Sequence, residues 1–420
     1  MIPRVDCRPF VAESSSTPEE LQRSIQALRS AASTHGFFYA LNTGWTAEER
    51  AAALKETASV FALPASEKRA LGVRRDPAKP GLTRGYIAIG GESGSDSLEC
   101  KEAYSYGFEG GTNVAGCAST AASDGSPLNA LEGPNVWPPQ ELVGAAFRPT
   151  MVRTFAAMCR VSALIARGLS LALGETATFL QDACGERGDN ISLMRLFHYF
   201  PYDDIACDQP FSGVDHRIGS SAHTDWGFIT LVDQGDDPIG ERGGLEAWVA
   251  DPDAPAAPAA PDAEDPDPRA LASSGLEKSK STPGGGNWTP IPPLEGALVV
   301  NCGDWVCLFS RGRIHSPLHR VVNGAKKRTS LVFFAYPSFD AALPRLGAGV
   351  AAGGASGIES SAASRLASLS LLADQSQDKA KSKVESKASA GAAAVDPTGS
   401  PTEPFGLYIS RKWAEVARST

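Results

Sequence analysis

No C-x-x-C pair occurs among the eight cysteines. Scattered thiols of this kind predict a reduced cytosolic chain rather than a disulfide framework. No basic run offers a surface to nucleic acid or to an anionic membrane, and the formal charge of −9 points the same way. The apolar runs are interrupted short of the roughly 20 residues that a membrane span needs. Met1-Ile2-Pro3-Arg4-Val5-Asp6 has no apolar h-region and already reads like a strand, so no signal peptide is expected. These absences predict a cytoplasmic monomer that acts on a small molecule, with neither nucleic acid nor membrane as a partner.

What is present divides into two textures. Thr17-Pro18-Glu19-Glu20 and Thr46-Ala47-Glu48-Glu49 each set a capping hydroxyl three residues before a glutamate. Leu21, Ile25, Leu28 and Ala32 then share one helical face, as do Leu54, Ala58 and Phe61. Gly36 ends the first helix, Pro64 stops the second, and Phe37-Phe38-Tyr39-Ala40-Leu41 reads as a short buried strand. Residues 84–87 and 101–106 look like strands or edges, and 108–138 like a loop. Apolar residues at spacings of three and four predict one long core helix from Pro139 to about Leu173, kinked at Pro149.

The second half changes period. Short β-type runs at 192–199, 228–232, 245–249, 297–301, 319–322 and 329–335 follow one another, with no helices of crossover length between them. That pattern indicates an antiparallel sandwich or barrel. Residues 251–287 and 347–402 fit neither texture. They are rich in Pro, Ala, Asp, Ser and Gly, and cannot offset ordering entropy by burial, so both are expected to be disordered surface insertions. Order is expected to return at 404–409, before a last helix carrying Trp413.

Chemistry concentrates around His223-Thr224-Asp225. On an extended backbone, residues two apart point to one face, so His223 and Asp225 can converge with Thr224 turned away. A metal taking one nitrogen and one oxygen needs a third ligand. His319 is the best of the remaining histidines; His315 competes only if that segment is helical. Two histidines and one carboxylate on one triangular face leave positions open, the arrangement of non-haem Fe(II) oxygenases. Downstream, Arg328 and Ser330 are again two apart on a strand. A planar guanidinium fork with a hydroxyl beside it suits a carboxylate, and an inward arginine needs an anion. His198 is expected to be a satisfied core or surface histidine, with a substrate contact in the same cavity as the alternative. His216 is expected to be solvated, His35 to cap a helix end, Arg320 to brace the site, and Cys302 and Cys307 to pack. Trp226 is expected either to pack or to shape the pocket mouth.

These segments make the chain similar to the isopenicillin-N-synthase-like branch of the Fe(II)/2-oxoglutarate-dependent dioxygenases. Ile2-Pro3-Arg4-Val5-Asp6 and His35-Gly36-Phe37-Phe38-Tyr39-Ala40-Leu41-Asn42-Thr43-Gly44 resemble its N-terminal region. Gly243-Gly244-Leu245-Glu246-Ala247 and Val299-Val300-Asn301-Cys302-Gly303-Asp304 resemble its strand and turn landmarks. His223-Thr224-Asp225, His319-Arg320-Val321 and Arg328-Thr329-Ser330 match its metal and co-substrate motifs in order. The two histidines stand 96 positions apart (223 to 319), roughly twice the family's usual gap. Removing the insertion at 251–287 brings the gap close to the family's.

The resemblance implies that His223, Asp225 and His319 bind Fe(II) and that Arg328 and Ser330 bind the distal carboxylate of 2-oxoglutarate. Tyr199 matches a tyrosine that helps hold this co-substrate, although Phe197 and Phe200 stand where Asn and Pro are usual. The implied fold is α+β with a mainly β core, a distorted double-stranded β-helix (jelly roll) with a helical N-terminal region and a long supporting helix. The implied layout is an N-terminal dioxygenase region at 1–138 and a catalytic core at 139–346. The insertion at 347–402 and a C-terminal strand and helix at 403–420 follow. The implied activity is O2-dependent hydroxylation of a small metabolite, releasing succinate and CO2. The alternatives are a family oxidase that does not use 2-oxoglutarate, and a non-catalytic jelly-roll binding protein. Five inward polar groups argue against the latter.

Overall fold

Both capping boxes close. The Thr17 hydroxyl accepts the Glu20 N–H (3.2 Å) while Glu20 accepts the Thr17 N–H (2.8 Å), and Thr46 and Glu49 do the same at 3.1 and 3.0 Å. They start α1 (Pro18–Thr34) and α2 (Ala47–Phe61). The computed structural model describes residues 2–11, 16–73, 83–91, 99–109, 131, 133–185, 191–201, 218–235, 244–250, 286–342 and 404–418. The segment 347–402, nearly all of 251–287, and His216 lie outside them.

The other helices are α3 (Ala65–Ala70), α4 (Gln140–Val143), α5 (Phe147–Ala172), α6 (Phe179–Cys184), α7 (Asp304–Phe309) and α8 (Phe405–Arg418). The strands are β1 (Arg4–Asp6), β2 (Phe37–Leu41), β3 (Gly85–Ile87), β4 (Lys101–Gly107), β5 (Leu193–Tyr199) and β6 (Ile218–His223). They continue with β7 (Ile229–Asp233), β8 (Gly244–Ala250), β9 (Gly286–Pro290), β10 (Ala297–Cys302), β11 (His319–Val322) and β12 (Arg328–Ala335). They form a larger sheet in the order β1-β2-β10-β7-β12-β5-β4-β3 and a smaller one in the order β6-β11-β8-β9. Every pairing between these strands is antiparallel except that of β1 with β2. This is the jelly roll that the resemblance implies.

Alternation along the strands sorts side chains into two cores. On β12, Leu331 and Phe333 face the helices, where Phe333 meets Phe155 of α5 edge-on at 5.3 Å. Val332 faces the other way, into a second cluster between the sheets with Phe37, Tyr39, Phe197, Tyr199, Ala247, Val299 and Val321. The interior of the roll is therefore apolar, and any polar side chain on that face needs a reason.

Four expectations need correction. The helix read from Pro139 to Leu173 is two helices: Gly144 (φ 89°) breaks it and α5 starts afresh at Phe147. Pro149 sits in the first turn of α5, where a missing N–H costs nothing, so it makes no kink. α5 is also long and apolar enough by length and composition to cross a membrane, although Arg148, Arg153, Arg160 and Arg167 interrupt its apolar runs. However, 72% of its most apolar window is buried, which makes it a core helix. The insertion read as 251–287 ends too late, because Gly286 and Asn287 pair with Ala250 and Val249 in β9. At 403–420 there is one helix, and Pro404 makes only an isolated bridge to Ala342. No disulfide is formed among the six described cysteines.

His198 is not a cavity residue. It points to the helix side instead, where Glu102 accepts from its Nδ1 (2.8 Å), from Lys68 Nζ (2.7 Å) and from the Tyr86 hydroxyl (2.6 Å). Burial opposes ionisation of Glu102, but these three donors win and hold its pKa below 4.5. A depressed carboxylate adds stability above its unfolded pKa and loses it as pH falls through the folded one. The Glu102→Gln variant should therefore unfold about 3 kcal/mol more easily at pH 7, because Lys68 loses its buried partner. The difference should shrink below pH 4.5. Denaturant melts across pH 3–7 check this, and a pH-independent difference would contradict it.

Candidate metal centre and co-substrate pocket

His223 ends β6, and Asp225 lies in the turn that follows, four residues before β7 begins. The H-x-D triplet is thus a strand end and a turn, not one strand running on through 228–232. That turn is held from beneath by α7: the N–H groups of Gly303, Asp304 and Trp305 donate to the carbonyls of Phe228, Asp225 and Gly227 at 2.9, 2.7 and 3.1 Å. The approach is so close that a Cβ on Gly303 would lie 2.2 Å from the Gly227 oxygen. Across the smaller sheet His319, first residue of β11, pairs in register with His223.

The three side chains converge. One ligand-capable atom from each of His223, Asp225 and His319 lies within 4.8 Å of the others. Asp225 Oδ1 is 3.6 Å from His223 Nε2 and 3.8 Å from His319 Nε2. Each group is held by its far atom. His223 Nδ1–H donates to the Ser221 carbonyl (2.7 Å) and His319 Nδ1–H to that of Pro317 (3.1 Å), which turns both Nε2 lone pairs inward. Asp225 Oδ2 accepts from Thr230 (2.5 Å) and Asn301 Nδ2 (2.6 Å), leaving Oδ1 for the centre. Phe37 packs edge-on to His319 at 5.6 Å.

Electrostatics favour a ready ligand set. Burial pushes the His319 pKa down to about 4, with the nearby charge of His223 adding to it, so the imidazole is neutral at pH 7. Burial pushes the Asp225 carboxyl up, but both histidines and the bonds from Thr230 and Asn301 outweigh that and hold it below its usual range. Behind the triad, buried Asp304 accepts from Thr224 (3.1 Å) and Ser316 (2.6 Å), tying the His223 turn to the approach to His319. Burial raises its pKa to about 7. Glu99 accepts the Ser221 N–H (2.7 Å) and pairs with Lys101 (2.5 Å), fixing the end of β6 to β4.

Asn301, Thr230 and Asp304 were not assigned these roles from sequence. Asn301 and Asp304 lie within a recognised landmark, but only the sheet register, Asn301 opposite Thr230, shows what they hold. The Asn301→Ala variant should bind Fe(II) about 10–100-fold more weakly with its fold intact, the usual cost of losing a ligand's outer partner. Competition against a chelator measures it; unchanged affinity would show that Asn301 only packs.

Arg328, Ser330 and Tyr199 lie further along the interior. Arg328 pairs with Tyr199 and Ser330 with Phe197 in the β12–β5 register. The Arg328 guanidinium lies 4.4 Å over the Tyr199 ring, which holds it in place. Ser330 is 1% exposed, and its Oγ has no partner among the described residues. A buried orphan hydroxyl beside an inward arginine is what a bound carboxylate would satisfy. Of the other candidates, His315 stays outside the triad, its N–H bonded to Ala32 of α1. His35 is the C-cap of α1. Arg320 pairs with Glu246 at 2.7 Å and stacks over Trp288 at 4.2 Å.

Comparison with known proteins agrees with this geometry. Residues 2–140 match the N-terminal region of a non-haem dioxygenase family described from morphine synthesis. Residues 269–337, which include His319, Arg328 and Ser330, match the 2OG-Fe(II) oxygenase superfamily. A homoarginine-6-hydroxylase of Arabidopsis thaliana is 28% identical over 347 residues, 80% of this chain and 82% of that protein. The 2-oxoglutarate-dependent dioxygenase tropC of Talaromyces stipitatus is 27% identical over 343 residues, 80% and 86% of the two chains. Among solved structures, a Neurospora crassa protein in complex with alpha-KG and thymine superposes with a TM-score of 0.58 at 22% identity, over 87% of this chain and 96% of that one. A 2OG-Fe(II) oxygenase family protein of Caulobacter crescentus gives 0.55 at 23%, over 82% and 89%.

The chain belongs to the Fe(II)/2-oxoglutarate oxygenase superfamily. It is an oxidoreductase of the 2-oxoglutarate-dependent dioxygenase type, with Fe(II) and 2-oxoglutarate as its cofactor and co-substrate.

Proposed function

We propose that this enzyme hydroxylates a small organic molecule, with His223, Asp225 and His319 as the ligands of Fe(II). Arg328 and Ser330 take the distal carboxylate of 2-oxoglutarate, and Tyr199 holds Arg328 in position. The observation that carries the reading is the convergence of two Nε2 atoms and one Oδ1 within 4.8 Å, each with its far atom already bonded. Such a set fits a divalent metal with open positions. The orphan Ser330 hydroxyl fits the second group.

When bound, Fe(II) with 2-oxoglutarate and O2 supplies the oxidising power, the 2-oxo acid leaving as succinate and CO2. The protein's own groups do the rest. Thr230 and Asn301 keep Asp225 ionised and aimed, Asp304 ties the two ligand turns together, and Arg328 fixes the reach of the 2-oxo acid along the roll. Phe37, Phe197 and the valines of the interior keep water from the site.

A small-molecule substrate is supported by the relatives, which are named for homoarginine hydroxylation and for 2-oxoglutarate-dependent dioxygenation. The formal charge of −9 and the eight scattered cysteines without a C-x-x-C pair support a cytoplasmic enzyme without nucleic-acid or membrane partners. Aerobic incubation with Fe(II) and 2-oxoglutarate tests the reading. Slow succinate formation in wild type, abolished in the His319→Ala variant, is expected; equal succinate from both would refute it.

A further inference from the structure

Two arginines are buried side by side where β3, β4 and β5 meet α8. Arg84, just before β3, is 6% exposed, and Arg195 of β5 is 3% exposed. Arg84 donates to the carbonyls of Thr83 (3.1 Å) and Leu131 (3.4 Å), and its Nε has no partner among the described residues. No described carboxylate pairs with it. Backbone carbonyls satisfy hydrogen bonds but leave the charge uncompensated, which is costly in a buried site. Burial, then the charge of Arg195, draws its pKa down to about 10. Arg195 donates to Thr83 Oγ1 (3.4 Å), and its guanidinium lies 4.4 Å over the Trp413 ring. Gly107 opens the space: a Cβ there would lie 2.2 Å from an Arg84 nitrogen.

The pair lies beside the metal centre. By alternation, Arg195 shares the interior face of β5 with Phe197 and Tyr199. It pairs with Val332, which pairs with Val232, which pairs with Val299. The adjoining row on that face contains Phe334, Thr230 and Asn301, the last two gripping Asp225. Two strand spacings of about 4.8 Å separate β5 from β7. From the other side, Trp413 meets Trp226 edge-on at 5.3 Å, and Trp226 follows Asp225 in the chain. Arg328 and Ser330 lie beyond Val332 in the opposite direction along β12, so the two cationic sites flank the centre from different ends.

We propose that Arg84 and Arg195 anchor an anionic group of the primary substrate, which makes that substrate a small organic carboxylate with its body against Trp226 and Trp413. The assignment rests on the reading of the triad as the Fe(II) site. A purely structural Arg84, holding Thr83 and Leu131, would give a stability loss on substitution but no preference for acids.

Full-length protein loaded anaerobically with Fe(II) and 2-oxoglutarate is titrated with benzoate, phenylacetate and octanoate, each beside its primary amide. Heat and the visible charge-transfer band are followed together. At least one acid should bind tenfold or more tightly than its amide. Arg84→Gln should abolish that preference and Arg84→Lys keep part of it. Gly107→Ala, which retains both charges but crowds the guanidinium, should weaken it, and decides alone if Arg84→Gln fails to fold. Acids binding no better than amides, or a preference that survives both Arg84→Gln and Gly107→Ala, would overturn the proposal. A normal band without acid preference sinks this proposal only; absence of the band in wild type sinks the Fe(II)/2-oxoglutarate reading, and the heat still reads the anion site.

Discussion

The Asp225→Asn variant is expected to lose Fe(II) affinity by more than about 100-fold while folding normally. Loss of an outer partner alone costs a metal site about 10–100-fold, and Asp225 supplies the one negative charge that the triad offers. Its Oδ1 is the atom that faces both Nε2 nitrogens, at 3.6 and 3.8 Å. Asparagine is nearly the same size, so packing in the roll should not change. The amide can still accept from Thr230 through its oxygen, but its NH2 then faces the two histidines, where a donor is useless to a cation. If the amide turns around, its NH2 meets the Asn301 NH2 instead. Either way one bond is lost. Anaerobic Fe(II) titration with a chelator competitor, beside a thermal melt, separates the outcomes. Retained affinity in a folded variant would remove Asp225 from the ligand set.

Arg328→Gln should weaken 2-oxoglutarate binding by about 100-fold or more at unchanged Fe(II) affinity. Removing one partner of a buried, hydrogen-bonded charge pair costs about 2–5 kcal/mol, and about 1.4 kcal/mol is tenfold. The split matters: Arg328 lies over Tyr199 on β5, on a different sheet from the strands that bear the two histidines. A defect in Fe(II) binding would therefore indicate damage to the roll rather than loss of a co-substrate contact. Ser330→Ala removes only an orphan hydroxyl and should cost less, about 1 kcal/mol. An Arg328→Gln variant that binds 2-oxoglutarate normally would favour a family oxidase that does not use it.

Much of this was legible because the relevant signals are local. A capping box needs four residues, and Thr17 and Thr46 each carry one. The Arg328-x-Ser330 spacing needs only the two-residue period of a strand. What could not be read depends on distant segments meeting. Asn301 and Thr230 become partners of Asp225 only when β10 pairs with β7, and Asp304 reaches both Thr224 and Ser316 only because α7 tucks beneath their turns. β6, with Gly219, Ser220 and Ser221, has too little apolar character to announce itself as a strand, although it carries His223. The helix break at Gly144 was missed for the opposite reason: apolar periodicity on either side masked one glycine at positive φ. Arg84 and Arg195 are 111 positions apart (84 to 195), and nothing in the order of residues brings two cations together.

The central claim is that His223, Asp225 and His319 hold Fe(II) and that Arg328 with Ser330 completes a site for 2-oxoglutarate. An anaerobic titration of the full-length apoprotein, first with Fe(II) and then with 2-oxoglutarate, tests it most directly. A weak visible charge-transfer band should appear only when both are present, and be lost in both His319→Ala and Arg328→Gln. Failure of folded wild-type protein to bind Fe(II), or a band unchanged in His319→Ala, would contradict the account.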